Sequence, residues 1–371
     1  MRTLVLRTPH SLPWLLAAVL AAAAARAQEA VPRVDVHGFG SWAYGRTDEN
    51  VYLAGLPAGT YEETSFTLAV ASQPSDRLRV TGQFELHQDV ETKVELDYVF
   101  AEWRFSDALR LRAGKVKAPF GISAEVVRVG TLRPFLDLPQ AVYGHVGITG
   151  EHYDGVGITG LLPRGRWTVS YDVYGGGLHV EESMGPEDLA RGEPLGSDTM
   201  EVAKNVLGGR LVVQTPIDGL SFGVSANRGD AVDSKVRWVV GGHAEYLSGQ
   251  WSIRSEYAHK EVRDDHIGDA FYVDAARRFG SHWQAAAQYG RFAAELPGVE
   301  APVAPSLLEH EEVALGLNYW FNPAFVLKLS CHRVDGNRLA APEADELAAV
   351  VASGRLQKRT NLLQFGAQFS F

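Results

Sequence analysis

From residue 33 onward the chain alternates apolar and polar side chains in segments of about ten residues, and this period of two constrains the fold more than any other feature. Leu78, Val80, Phe84 and Leu86 fall on one parity, and Arg79, Thr81, Gln83, Glu85 and His87 on the other. The next segment sets Val94, Leu96 and Tyr98 against Glu95 and Asp97. A strand of that length with one apolar and one wet face is what a tilted crossing of an outer membrane requires. Helical periodicity is nearly absent. About 16 such segments run from residues 33–44 to residues 357–371, an even number, as single-chain bacterial barrels have. The expected fold class is all-β, a transmembrane antiparallel β-barrel.

The connections point the same way. Short links such as Pro74-Ser75-Asp76-Arg77, Ser106-Asp107-Ala108 and Asn322-Pro323-Ala324 are rich in turn formers, and they alternate with longer links near 45–63, 117–154, 176–202, 293–311 and 335–356. Aromatic residues gather beside the short links: Trp103, Phe105, Trp167, Phe222, Trp251, Phe279, Trp283, Phe321 and Phe325. Such a girdle marks a membrane interface. In one segment Glu102 and Arg104 stand on the opposite parity to Glu95 and Asp97, so that strand needs a bulge or those residues sit at a wet rim. The last segment repeats the alternation with Leu363, Phe365, Ala367, Phe369 and Phe371, ending on an aromatic.

At the other end, Arg2 and Arg7 precede an apolar run from Leu12 to Ala25, followed by Ala25-Arg26-Ala27. This predicts a secretory leader over 1–27 and a barrel over 28–371. Removing the leader takes away three arginines and moves the net charge from −10 to −13, which argues against a nucleic-acid partner. Cys331 is the only cysteine, so neither an internal disulfide nor a cysteine-rich zinc site can form. No cofactor and no metal site are expected.

The segment from 117 to 154 is too long and too apolar for an ordinary external loop. Pro119, Pro134 and Pro139 stiffen it, while Phe120, Ile122, Leu132, Phe135 and Leu136 give it surfaces to bury. Its entry, Gly114-Lys115-Val116-Lys117-Ala118-Pro119-Phe120-Gly121, resembles the Gly-x-x-Lys-x-Pro-Phe-Gly pattern of the phosphate-selective porin O and P family. The resemblance implies a 16-stranded porin, usually a trimer, whose loop after the fifth strand folds inward as a constriction. It also implies that the terminal aromatics Phe369 and Phe371 are read by the barrel assembly machinery in the outer membrane of a Gram-negative bacterium. Outer-membrane lipids and small polar or anionic solutes are the further partners implied.

The residues expected at the pore or its constriction are Lys115, Lys117, Glu125, Arg128, Arg133 and Asp137 from the loop and its entry, with Arg79, Arg110 and Arg112 from the wall. Mixed signs in this set, and on other inward positions such as Arg210, Arg254, Arg278 and Lys328 against Glu85, Glu245, Glu256 and Asp274, carry over pore architecture and not phosphate selectivity. Two other readings compete. A barrel enzyme of the phospholipase or protease type would use Ser and His groups such as Ser255 and His259, or Asp35 and His37. A structural or adhesive barrel would act through its acidic loops, for instance Glu181, Glu182, Glu187 and Asp188.

Overall fold

The computed structural model describes residues 33–88, 92–182, 199–231, 235–297, 304–342 and 344–371. Among these, sixteen long strands form one sheet, each antiparallel to the next: β1 (Arg33–Thr47), β2 (Thr60–Gln73), β3 (Leu78–Gln88), β4 (Thr92–Ser106), β5 (Leu109–Lys117), β6 (His152–Arg164), β7 (Trp167–Glu182) and β8 (Thr199–Gln214). The second half comprises β9 (Leu220–Asp230), β10 (Val236–Ser248), β11 (Trp251–Val262), β12 (His266–Phe279), β13 (Trp283–Glu295), β14 (Glu309–Asn322), β15 (Phe325–Asp335) and β16 (Arg359–Ser370). A two-residue strand, Gly55–Leu56, lies beside β1 in the first long link. β1 pairs with both β2 and β16, from Phe39 opposite Ser370 to Thr47 opposite Leu362, so the sheet closes on itself. Closure leaves no free edge, which is the condition for strands to cross lipid with every backbone group paired. The expected leader and the acidic residues Glu187 and Asp188 lie outside the described residues.

Outward positions are apolar and exposed, as a lipid-facing wall must be: Val80, Leu96, Leu111, Val224, Leu315 and Leu363 are examples. At the short-link end, Trp103, Phe105, Trp167, Phe222, Trp251, Phe279, Trp283 and Phe321 are all exposed, forming the interfacial girdle. The parity conflict in β4 resolves as a bulge. Gln83 stands opposite Tyr98 and Phe84 opposite Leu96, leaving Asp97 as the extra residue. One inserted position lets Glu95 and Asp97 share the water-facing side with Glu102 further along.

Helix is scarce. Short pieces occupy links: 3-10 turns at Ala124–Val126, Gly130–Leu132 and Pro305–Leu308, and one turn, α1, at Gln140–Tyr143. The last long link, expected to hold no more than short turns, instead contains the nine-residue helix α2 (Ala344–Ala352). Its sequence is built of Ala, Leu, Val, Glu and one Asp, and six of its nine residues, the four Ala with Leu347 and Glu346, are strong helix formers.

Candidate functional site: the inward loop and its wall

β5 ends at Lys117 and β6 begins at His152, with the neck of the loop between them closed by a bond from Ala118 N–H to the Glu151 carbonyl, 3.1 Å. From this neck the chain crosses to the far wall. Phe120 is 2% exposed and packs with Ala141, Val142, Val146 and Ile148 of the loop against Val239 of β10, Ala258 of β11, Ala270 and Tyr272 of β12, and Phe292 of β13. Further along, Phe135 settles on Ala276, Ala286 and Ala314, and Leu136 on Ala43 and Ala54. Burying a phenylalanine side chain is worth roughly 1.5–3 kcal/mol. These contacts therefore supply much of the force that turns the loop inward.

Polar contacts fix its path, and most of them grip the main chain. Gly121 N–H donates to Ser225 Oγ at 3.1 Å and Ile122 N–H to Glu256 Oε2 at 3.2 Å. Lys260 Nζ donates to the Val146 carbonyl at 3.0 Å, Arg237 Nη2 to the Gly147 carbonyl at 2.7 Å, and Asn318 Nδ2 to the Pro134 carbonyl at 2.8 Å. Lys328 Nζ alone reaches three carbonyls, those of Gly130, Arg133 and Phe135, at 2.9, 2.7 and 2.9 Å. Its neighbour Gln368 donates to the Leu136 carbonyl at 2.9 Å. Loop backbone placed in the lumen would otherwise carry unpaired carbonyls, and the wall supplies their donors.

Glu256 is the other hub. Its Oε1 accepts from Tyr143 and Tyr272 hydroxyls, both at 2.6 Å. Burial, reinforced by the Glu256 carboxylate, pushes the Tyr143 phenol well above its usual range, so the hydroxyl stays protonated and keeps donating. The Tyr143 hydroxyl oxygen in turn accepts from Ile122 and Ser123 N–H at 3.1 and 2.8 Å. Gly121 sits at φ +57°, and a Cβ there would run into the Glu256 carboxylate and the Tyr143 hydroxyl, so this turn admits only glycine.

The expected site residues divide into three groups. Glu125, Arg110 and Arg112 meet: Glu125 pairs with Arg210 and lies 3.8 Å from Arg112, while Glu102 holds Arg112 at 2.8 Å and Arg110 at 3.8 Å. Arg210 also contacts Asp172 at 3.1 Å. Arg128 pairs with Glu85 at 2.8 Å and Glu151 at 3.7 Å, and buried Lys117 pairs with Asp97 at 2.5 Å. A second group supports the loop: Arg133 donates to the Val127 and Leu136 carbonyls, and Asp137 accepts from Gln364 at 2.8 Å. The third makes no ion pair among the described residues. Arg79 is exposed opposite Glu102, and Lys115 stands opposite Val99 and Asp154, its Nζ on the Leu96 carbonyl at 2.5 Å. The anchors Lys260, Arg237 and Ser225 were not anticipated. The usable signal was a band of small or apolar residues on the water-facing parity of β11 to β14, including Ala258, Ala270, Ala276, Ala286 and Ala314, which makes sense only if something covers it.

Two spaces flank the loop. One of about 110 Å³ is lined by Lys117, Arg128, His145 and Glu151; the other, about 320 Å³, adjoins Arg133, Trp251, Arg254, Arg278 and Trp320 near the short-link end. The Arg278 guanidinium stacks 4.4 Å from the Trp320 ring centroid. Neither residue pair raised for a hydrolase converges on a reactive group: Ser255 Oγ donates to the Tyr272 carbonyl at 3.0 Å, His259 Nδ1 lies 3.0 Å from Asp269 Oδ1, and Asp35 accepts from Arg33 at 3.1 Å.

The family model described as phosphate-selective porin O and P matches residues 60–371. The chain belongs to that family. It is thus an outer-membrane porin, and its lumen is a water-filled channel for passive diffusion of small solutes. Solved structures share the barrel. The outer membrane channel DcaP of Acinetobacter baumannii is 10% identical, with TM-score 0.59 over 92% of this chain and 98% of that one. OmpF of Salmonella typhi, in complex with daunomycin, gives 12%, 0.59, 92% and 98%. The trimer form of OmpT, an outer membrane protein of Vibrio cholerae, gives 14%, 0.56, 92% and 100%. A search of curated proteins gave no match.

Proposed function

We propose that this porin is a general diffusion pore of low charge selectivity, exported with residues 1–27 as its leader, inserted by the barrel assembly machinery among outer-membrane lipids, and assembled as a homotrimer. It carries small polar or charged solutes past the inward loop and performs no chemical step on them. The observation that supports low selectivity is the pairing of the constriction's cations. Arg112 and Arg210 share Glu102, Glu125 and Asp172, while Arg128 meets Glu85 and Lys117 meets Asp97. A filter for phosphate needs a run of cations whose fields are not cancelled at short range, and paired charges fall off much faster with distance than single ones. Arg133 is directed to the loop's own Val127 and Leu136 carbonyls. The trimer form of the Vibrio cholerae neighbour supports the oligomer.

Reversal potentials across planar bilayers in a salt gradient test the reading. The expected anion-to-cation permeability ratio lies near one, and Arg210→Glu is expected to move it toward cations by exposing Glu125 and Asp172. A strongly anion-selective unaltered pore would overturn low selectivity.

A further inference from the structure

We propose that His152, Asp154 and His179 form a site for a borderline divalent transition-metal ion, such as Zn²⁺, at the long-link end of β6 and β7. The antiparallel register sets His152 opposite His179, and Asp154 lies two residues along β6 on the same face. One ligand atom from each of the three residues lies within 4.8 Å of the other two. The two imidazoles stack with centroids 4.1 Å apart and planes inclined by 27°, so both present ring edges to one region. His179 Nε2 already lies 2.8 Å from Asp154 Oδ2.

An independent observation comes from His152. It is 4% exposed, and neither of its ring nitrogens has a hydrogen-bond partner. A buried imidazole without a partner for either nitrogen loses the solvation it had in water, and a metal ion taking one nitrogen would restore a strong interaction. Asp154 and His179 are more open, at 55% and 21%, and lie on the outward parity of Val156 and Ile158 but at the long-link end of the strands, from which an ion can enter.

The donor set selects the class of ion. Two imidazole nitrogens and one carboxylate oxygen suit Zn²⁺ and its transition-metal neighbours, with a fourth position left for water. Mg²⁺ and Ca²⁺ favour oxygen ligands in larger numbers. Tetrahedral bonds of about 2.0–2.1 Å set ligand atoms roughly 3.3 Å apart, so the His179–Asp154 contact has only to open slightly. Of the two lysines beside the site, Lys117 is paired with Asp97 and Lys115 rests on the Leu96 carbonyl with its charge in place, both at 2.5 Å. Glu151 Oε2 stands 4.0 Å from His152 Nδ1 and adds a second carboxylate beside Asp154, shared with Arg128 at 3.7 Å. Because His152 directly follows the last residue of the inward loop, a bound ion would clamp the loop's exit to β7.

The test uses the folded porin in detergent. Titration with Zn²⁺ followed by calorimetry is expected to show one ion per chain, and Co²⁺ as a coloured substitute is expected to give the visible bands of low coordination number. His179→Ala and Asp154→Asn are each expected to weaken binding roughly tenfold or more. His37→Ala, remote on β1, is expected to leave it unchanged. Equal Zn²⁺ binding by His179→Ala, or no saturable binding by the unaltered protein, overturns the site. A readout on the unaltered chain covers the case in which a variant fails to assemble: Zn²⁺ is expected to protect His179 from diethyl pyrocarbonate, mapped by mass spectrometry, and modification at an undiminished rate also overturns it.

Discussion

A single ammonium, Lys328, shares its three N–H groups among four acceptors within hydrogen-bond reach, the carbonyls of Gly130, Arg133 and Phe135 and the Oε1 of Gln368. Replacing it by methionine keeps the stem and removes every donor. Each buried acceptor left unpaired costs about 1–3 kcal/mol, less where water can enter. Lys328→Met is therefore expected to assemble normally but to show a larger, noisier single-channel current in planar bilayers. An unchanged current would show that the lysine does not hold the loop. The alternation on β15 made the inward direction of Lys328 legible in the sequence. Its role was not legible, because the three carbonyls it reaches come from a segment nearly two hundred positions earlier and are backbone atoms, which carry no sequence signature. Glu256 was likewise readable as inward-facing and unreadable as the acceptor for Tyr143 and Tyr272.

At the scale of elements, shortening the loop between Ile122 and Val142 is expected to raise single-channel conductance, since the barrel wall is continuous without it and sixteen strands leave an aqueous channel. Insertion with unchanged conductance would mean that the loop does not narrow the path. The strands themselves were nearly all legible, because a period of two imposed by lipid on one side and water on the other admits little ambiguity. Even the Asp97 bulge announced itself as a parity conflict between Asp97 and Glu102. The helix α2 escaped notice because it lies in a link, where the period of two that marks the strands does not apply. The cover over β11 to β14 was visible only as misplaced alanines, which read as weak strand residues until the loop is set upon them.

For the whole molecule, the seam between β1 and β16 decides closure. Gly38 and Phe371 exchange two backbone bonds, at 3.0 and 2.9 Å, and the ring of Phe371 lies over Gly38 where a Cβ would collide with it. Phe369 covers Gly40 in the same way. Deleting Phe371, or replacing it by a charged residue, is expected to reduce the heat-modifiable barrel recovered from outer membranes several-fold while the exported chain is still found in the periplasm. A normal yield of the mutant would remove the terminal aromatic from the assembly step. The residues at this seam were legible as an alternating aromatic strand, whereas the two glycines that receive the rings gained meaning only from the register.

The grip on the inward loop through its carbonyls and amides has a further implication for how such a pore can change. A fastening that reads only the peptide group is indifferent to which side chain hangs from it. Positions along the loop that enter neither the apolar footings of Phe120, Phe135 and Leu136 nor the ion pairs of Glu125 and Arg128, such as Thr131 and the exposed Leu132, can be rewritten in charge or size without unfastening the loop from its wall. Diversification of permeant chemistry, by natural drift or by a protein engineer, thus has a mutable rim mounted on an unaltered hinge.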